Sequence, residues 1–245
     1  MEIGLFIPCY VNQFYPDVGI ATLQILKKLD LTVYYPENQT CCGQPLANSG
    51  QETDAIPVYK HFIEIFSKYE YVVAPSASCA YHVRGHYDII HQTEEVVELR
   101  RKTFDLTEFL HDVVGMEKLK ARFSHKVGLH QSCHGLRGLR LAQSSEQVLP
   151  HFSKWEKLLQ KVDGLELMRL DFPDECCGFG GTFSVQEAEV SSKMGTDKIT
   201  DLIKNEVEYV TSGDISCLMH LDGLIKREKL PLKVIHLAEI LNSTL

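Results

Sequence analysis

Residues 41–52 read Cys-Cys-Gly-Gln-Pro-Leu-Ala-Asn-Ser-Gly-Gln-Glu, and residues 176–187 read Cys-Cys-Gly-Phe-Gly-Gly-Thr-Phe-Ser-Val-Gln-Glu. The second stretch repeats the first as Cys-Cys-Gly-x5-Ser-x-Gln-Glu. Three further blocks keep the same order around it: residues 3–9 align on 127–133, 70–82 on 208–220, and 106–110 on 237–241. Blocks in one order, with every cysteine in register, mark two copies of one supersecondary unit. All eight cysteines are accounted for, as Cys9, Cys41, Cys42 and Cys79 in one copy and Cys133, Cys176, Cys177 and Cys217 in the other.

Working outward from the paired cysteines, each copy shows the same alternation of periods. Residues 3–8 and 127–131 read as short buried strands that end at a cysteine. Residues 18–29 place Ile20, Leu23, Ile25, Leu26 and Leu29 close to a helical period, and 31–35, with 165–170 as counterpart, read as the next strand. Pro36 or Pro173 then turns the chain into the vicinal pair. Ser49 with Glu52, and Ser184 with Glu187, have the spacing of capping boxes opening the helices that follow. Those helices are expected to bury Val58, Phe62, Phe66 and Tyr69 in one copy and Val190, Met194, Ile199 and Ile203 in the other. Strands at 71–74 and 209–211 deliver Cys79 and Cys217 just past their carboxyl ends. The pattern predicts an α/β fold of two pseudo-repeated Rossmann-like domains, each a mostly parallel sheet flanked by helices. In such sheets ligands gather beyond the carboxyl ends of the strands, where three loops could bring four thiolates together. The domains are expected at 1–120 and 121–245, joined near 115–124 by the charged Glu117-Lys-Leu-Lys120 stretch, and each with its own core.

Composition narrows the function. A formal charge of −8 over 245 residues offers no basic field for nucleic acid. No apolar run approaches the length of a membrane span, and the first residues lack a basic leader, so the protein is expected in the cytoplasm. In that reducing compartment eight structured cysteines read as metal ligands or reactive thiols rather than as disulfides.

Adjacent side chains point apart on any regular element, so two neighbouring cysteines reach one site only if the backbone turns. The glycine after each pair permits that turn. A single tetrahedral zinc more often uses Cys-x2-Cys knuckles, whereas neighbouring thiolates suit a polynuclear object in which each binds a different iron. A zinc-stabilised binding module, with zinc also conceivable as an adventitious metal, and a dithiol oxidoreductase are the competing readings. The dithiol lacks the redox Cys-x2-Cys spacing, and a bond between adjacent cysteines closes a strained ring.

The Cys-x31-Cys-Cys-Gly-x35-Cys arrangement of the first copy and its counterpart in the second resemble the duplicated CCG cysteine-rich domains of the catalytic heterodisulfide reductase subunit and of the glycolate oxidase iron–sulfur subunit. Cys-Cys-Gly-Phe-Gly-Gly-Thr-Phe-Ser at 176–184 and Ser-Cys-Leu-Met-His at 216–220 carry a closer resemblance, across the whole chain, to the lactate utilization protein A family. That resemblance implies an iron–sulfur electron-transfer subunit of a three-component system oxidising L-lactate to pyruvate. It would be part of an oxidoreductase complex rather than a complete enzyme. It implies two clusters, 4Fe-4S in type, on the eight cysteines, with a ferredoxin-type iron–sulfur protein and a third subunit as partners. Where the reductase relatives end each set in Cys-x2-Cys, this chain has His82 and His220, which either ligate metal or support the ligands from behind.

Weaker signals surround the second set. His130 and His134 flank Cys133 and could hold or give a proton near neutral pH. Arg137 and Arg140 could meet a carboxylate. His134 and Arg137 are the candidates for a catalytic role. Gly178-Phe-Gly-Gly181 lacks the order of a dinucleotide fingerprint and is expected to wrap a cluster.

Overall fold

Each copy opens on four residues of strand-forming character, too few for a helix. In the computed structural model, which describes residues 1–115 and 119–243, they form the centre of a parallel sheet. The first sheet contains β1 (Glu2–Leu5), β2 (Thr32–Tyr34), β3 (Tyr71–Ala74) and β4 (Thr103–Asp105) in the order β2-β1-β3-β4. The second contains β5 (Lys126–Leu129), β6 (Glu166–Met168), β7 (Tyr209–Ser212) and β8 (Lys233–His236), in the order β8-β7-β5-β6. The duplication extends to register: Ile3 pairs with Tyr71 and Val33 in one sheet, and Val127 with Tyr209 and Leu167 in the other. The fold is thus α/β, two pseudo-repeated parallel sheets flanked by helices. Each has a fourth strand beyond the three read in the sequence.

Local chemistry explains most of the helices. Pro16–Lys28 starts on a proline, carries Asp17 in its first turn and ends on Lys27 and Lys28, all favourable to the helix dipole. It buries Val18, Ala21, Ile25 and Leu26 and leaves Ile20 outside. The capping boxes do not form. In the first copy a short helix runs from Gln44 to Asn48 with Ser49 at its end, and in the second one runs from Phe183 to Gln186 with Ser184 inside it, so neither serine stands at a helix start, and their hydroxyls donate back to Pro45 O and Gly181 O, both at 2.7 Å. The helix Ala188–Lys204 is also rotated from the expected face. Val190 and Ile203 are exposed, and the buried line is Ser191, Gly195, Lys198, Ile199 and Leu202. Lys198 can be interior because its ammonium donates to Phe172 O at 2.7 Å.

The helices that close the two copies change places. Leu237–Asn242, from the second copy, packs on Pro16–Lys28 of the first, where Lys28 Nζ donates to Asn242 Oδ1 at 2.9 Å. Reciprocally, the first copy's closing turn Leu106–Glu108 packs on Lys154–Leu159, and Asp112, farther along, pairs with Lys154. One apolar core therefore runs through both halves, from Leu5 and Ile25 to Val127, Trp155, Leu237 and Ile240. The expectation of separate cores is corrected by this exchange, because a parallel sheet must be covered on both faces and part of each cover comes from the other copy. A second cluster around Phe6, Tyr59, Phe62, Phe66 and Tyr87 belongs to the first copy. Of the expected linker, residues 116–118 lie outside the described residues.

The two closing helices start on equivalent but chemically opposite caps. Asp105 Oδ1 accepts from Thr107 N at 2.8 Å, and His236 Nδ1 accepts from Ala238 N at 3.1 Å, with both side chains buried. Burial pushes the Asp105 carboxyl from 3.8 up to about 7. Burial pulls His236 from 6.5 down to about 4. The folded chain thus holds more protons than the unfolded one at Asp105 between those values, and loses stability there as pH rises; at His236 it holds fewer, and loses stability as pH falls. Asp105→Asn keeps a capping oxygen and removes the alkaline loss. Its stability relative to the parent should improve by about 2–4 kcal/mol between about pH 5 and about pH 8, read by urea unfolding at each pH. A gain independent of pH would show that Asp105 does not titrate in this window.

Candidate metal centre

Three adjacent strand ends build each cysteine set. After β1 the chain enters a short helix at Cys9, after β2 it loops to Cys41 and Cys42, and after β3 it enters the helix Ala77–His86, whose first turn holds Cys79. Cys133, Cys176, Cys177 and Cys217 follow β5, β6 and β7 in the same way. The sulfurs approach closely, with Cys9 Sγ 3.7 Å from Cys41 Sγ and Cys42 Sγ 3.4 Å from Cys79 Sγ. Cys42 and Cys177 are the buried members of their pairs, at 1% and 2% exposure, while Cys41 and Cys176 are half-buried.

The glycine after each pair makes this possible. Gly43 and Gly178 have φ of +91° and +90°, a left-handed turn that aims neighbouring thiols at one place. A side chain at Gly178 would meet Ser191 O at 2.4 Å, and one at Gly43 the Tyr59 ring at 2.5 Å. Each glycine N–H then points at the first sulfur of its pair, 3.4 Å from Cys41 Sγ and from Cys176 Sγ.

Those donors distribute the protons unevenly. Hydrogen bonds from Cys42 and Cys9, with help from Gly43 N–H, hold the Cys41 thiol far below its ordinary range, and Cys133 and Cys177 do the same for Cys176. The donors are pushed up in return: Cys9 and Cys133 chiefly by giving their protons to those thiolates, Cys42 and Cys177 by the same bonds and by burial. In each set the first cysteine of the pair is thus the readiest to ionise, and the set would shed protons on taking a metal.

Both sets open on one cavity of about 550 Å³, lined by all eight cysteines. Phe179, Gly180, Gly181 and Thr182 form part of its wall and cross to the other copy, where Thr182 Oγ1 donates to Asn48 O at 3.2 Å and Phe179 meets the Tyr10 ring edge-on. The expected wrap is therefore a bridge between the sets. A larger cavity of about 770 Å³, beside β6, has no cysteine in its wall.

The other candidates disperse. His134 lines the cavity, with Nδ1 at 3.8 Å from Cys133 Sγ. Arg137 turns away to pair with Glu146. His82 and His220 do not line the cavity: Nε2 of His82 lies 3.0 Å from the Tyr59 hydroxyl and that of His220 3.3 Å from Ser191 O. His130 is buried against the second set.

Sequence reasoning missed Asp214, which stands at the head of its own helix and yet serves the other copy. Its carboxylate accepts from Ser78 N at 2.8 Å and Ser78 Oγ at 3.0 Å, beside Cys79. The available signal was the alignment of 70–82 on 208–220, which sets Asp214 against Ser76 just before the last cysteine of each set.

The model of the cysteine-rich domain CCG matches the chain twice, over residues 3–84 and 127–222. Lactate utilization protein A 1 of Bacillus mycoides is 38% identical over 247 residues, covering 99% of this chain and 97% of that one. Lactate utilization protein A of a Geobacillus species is 39% identical over 247 residues, covering 99% and 100%. Among solved structures, glutamate racemase isoform RacE1 of Bacillus anthracis aligns at 11% identity and a TM-score of 0.38, over 98% of this chain and 78% of that one, a weak overall likeness.

Proposed function

The chain belongs to the lactate utilization protein A family of CCG cysteine-rich domain proteins, and from that premise we propose that it is an iron–sulfur electron-transfer subunit of a system oxidising L-lactate to pyruvate in the cytoplasm. Residues 1–120 and 121–245 are its two domains, and each holds one cluster through its four cysteines. The observation that carries the reading is the convergence of eight cysteines on one cavity in two sets of four. Four soft donors per set fit an iron–sulfur cluster, and their half-buried to buried positions keep water from competing with sulfur.

Bound clusters would supply one-electron acceptance and donation, at potentials set by ligand, hydrogen bonds to sulfur and exposure. The chain's own contribution is to place the two sets on one cavity, to aim Gly43 and Gly178 N–H at a sulfur in each, and to seal the space between with Phe179 and Tyr10. The cysteines lie far apart in sequence, without the tight run of a ferredoxin, so a ferredoxin-type partner and a third subunit complete the path.

Anaerobic reconstitution with iron and sulfide tests this directly. The protein should turn brown and bind about four irons and about four sulfides per half, with a paramagnetic signal on reduction. Protein that stays colourless and takes up only zinc would make it a zinc-stabilised module instead.

A further inference from the structure

The two copies differ at one buried place beside the metal centres. Aligning 3–9 on 127–133 sets Phe6 against His130, and the backbone there is the same: Phe6 N donates to Val73 O at 2.9 Å and His130 N to Thr211 O at 2.8 Å. In the first copy the ring packs edge-on against Phe62, at 4.9 Å between centroids, and against Phe66. In the second, the imidazole is 1% exposed, and among the described residues neither of its nitrogens has a hydrogen-bond partner. A buried polar atom left so carries a desolvation cost that the phenyl ring of the first copy avoids.

Those nitrogens are not far from donors of another kind. A ring nitrogen of His130, Cys177 Sγ and Cys217 Sγ all lie within 4.8 Å of one another, and all three residues are buried. Neutral imidazole is a good ligand for iron, cobalt and zinc alike, and mixed sulfur and nitrogen sets are common. We propose that His130 is an imidazole ligand of the second metal centre, so that this site is a mixed sulfur–nitrogen site while the first, with Phe6 in the same place, is bound by sulfur alone. A metal bond satisfies one orphaned nitrogen and leaves the other to a hydrogen-bonding partner behind the ring. It also gives two sites built from one repeat different chemistry, since a neutral ligand raises a cluster's potential relative to thiolate. His220 and His82, whose Nε2 atoms already have partners, are not needed for it.

The inference takes from the proposed function only that the second set holds metal, and the test separates the two. The full chain, grown with and without heavy-nitrogen histidine, is reconstituted with iron and sulfide and, in parallel, loaded with cobalt(II) alone. Pulsed electron paramagnetic resonance of the reduced iron–sulfur form should show a strongly coupled, label-sensitive nitrogen on one of the two centres. His130→Phe should lose that coupling and weaken cobalt binding at one site by at least ~10-fold, whereas His220→Gln should keep both. His130→Cys supplies a second variant, expected to retain metal while losing the nitrogen signal, should the phenyl variant fold poorly. Two assembled clusters with no strongly coupled nitrogen in the parent, or with the same nitrogen in His130→Phe, overturn the ligand. Cobalt bound through a nitrogen that His130→Phe removes, with no uptake of iron and sulfide, upholds the ligand and sinks the iron–sulfur reading. Binding of neither metal overturns both.

Discussion

A chain carrying Cys42→Ser and Cys177→Ser together should retain no more than a trace of iron and sulfide after reconstitution, and each single variant should retain about half. The two residues are the buried members of their pairs, at 1% and 2% exposure, and both line the shared cavity, so each substitution alters the ligand set with little change at the surface. Serine is the sharpest replacement because it changes the donor and little else. Its hydroxyl is a hard, protonated ligand where the site needs a soft thiolate, and unbound it is a buried polar group with a cost of about 1–3 kcal/mol. Iron and sulfide analysis gives the content, and far-ultraviolet circular dichroism checks that the sheets persist. Full content in the double variant would remove both residues from the ligand set. Equal, complete loss in the single variants would show instead that neither set loads without the other.

The largest effect outside the thiols is expected at Asp214. Replacing it with alanine should lower the stability of the metal-free chain by about 3–5 kcal/mol, because two close bonds to a buried carboxylate are lost and Ser78 N–H is left without its partner. The Ser76 and Ser216 hydroxyls, which also donate to this carboxylate, would have to turn elsewhere. Asp214→Asn keeps one acceptor oxygen and should cost less than half as much. Urea unfolding followed by the fluorescence of Trp155, the sole tryptophan and fully buried, measures both. Because Asp214 holds the helix turn that carries Cys79, its loss should also weaken metal retention in the opposite copy. A variant as stable as the parent would mean that Ser76 Oγ, at 3.3 Å from Cys79 N, caps that helix unaided.

The sequence displays its duplication because cysteine and glycine are constrained by function and backbone at once. Cys41, Cys42 and Gly43 cannot drift without losing either the donor or the positive φ, so the two copies still align there. The strands were legible for a similar reason, since four-residue runs such as 71–74 are buried on both faces and tolerate little else. Side chains whose role depends on distant partners were not legible. Lys198 is a charged side chain on a buried helix line, and the carbonyls of Phe172 and Pro173, brought near by the turn before Cys176, allow it inside. Ser49 and Ser184 carry a capping spacing, but in each copy a short helix starts before them and uses them otherwise. His130 reads as a proton carrier beside Cys133; its placement within 4.8 Å of Cys177 and Cys217 arises from three loops meeting, which no spacing along the chain records. The exchange of closing helices is invisible for the same reason, because a helix covering its own sheet and one covering its neighbour have the same amphipathic pattern.

That exchange ties the two sets of cysteines to one folding event. With one core shared by both copies, opening either half exposes surface belonging to the other, so the chain should melt in a single step rather than half by half. Metal bound to the folded form alone stabilises it by RT ln(1 + [L]/Kd), and in this fold that stabilisation would reach the whole molecule whichever set it filled. Metal in either set of cysteines would therefore raise the melting temperature of the whole molecule, and chelating it from either set would lower the stability of both halves together.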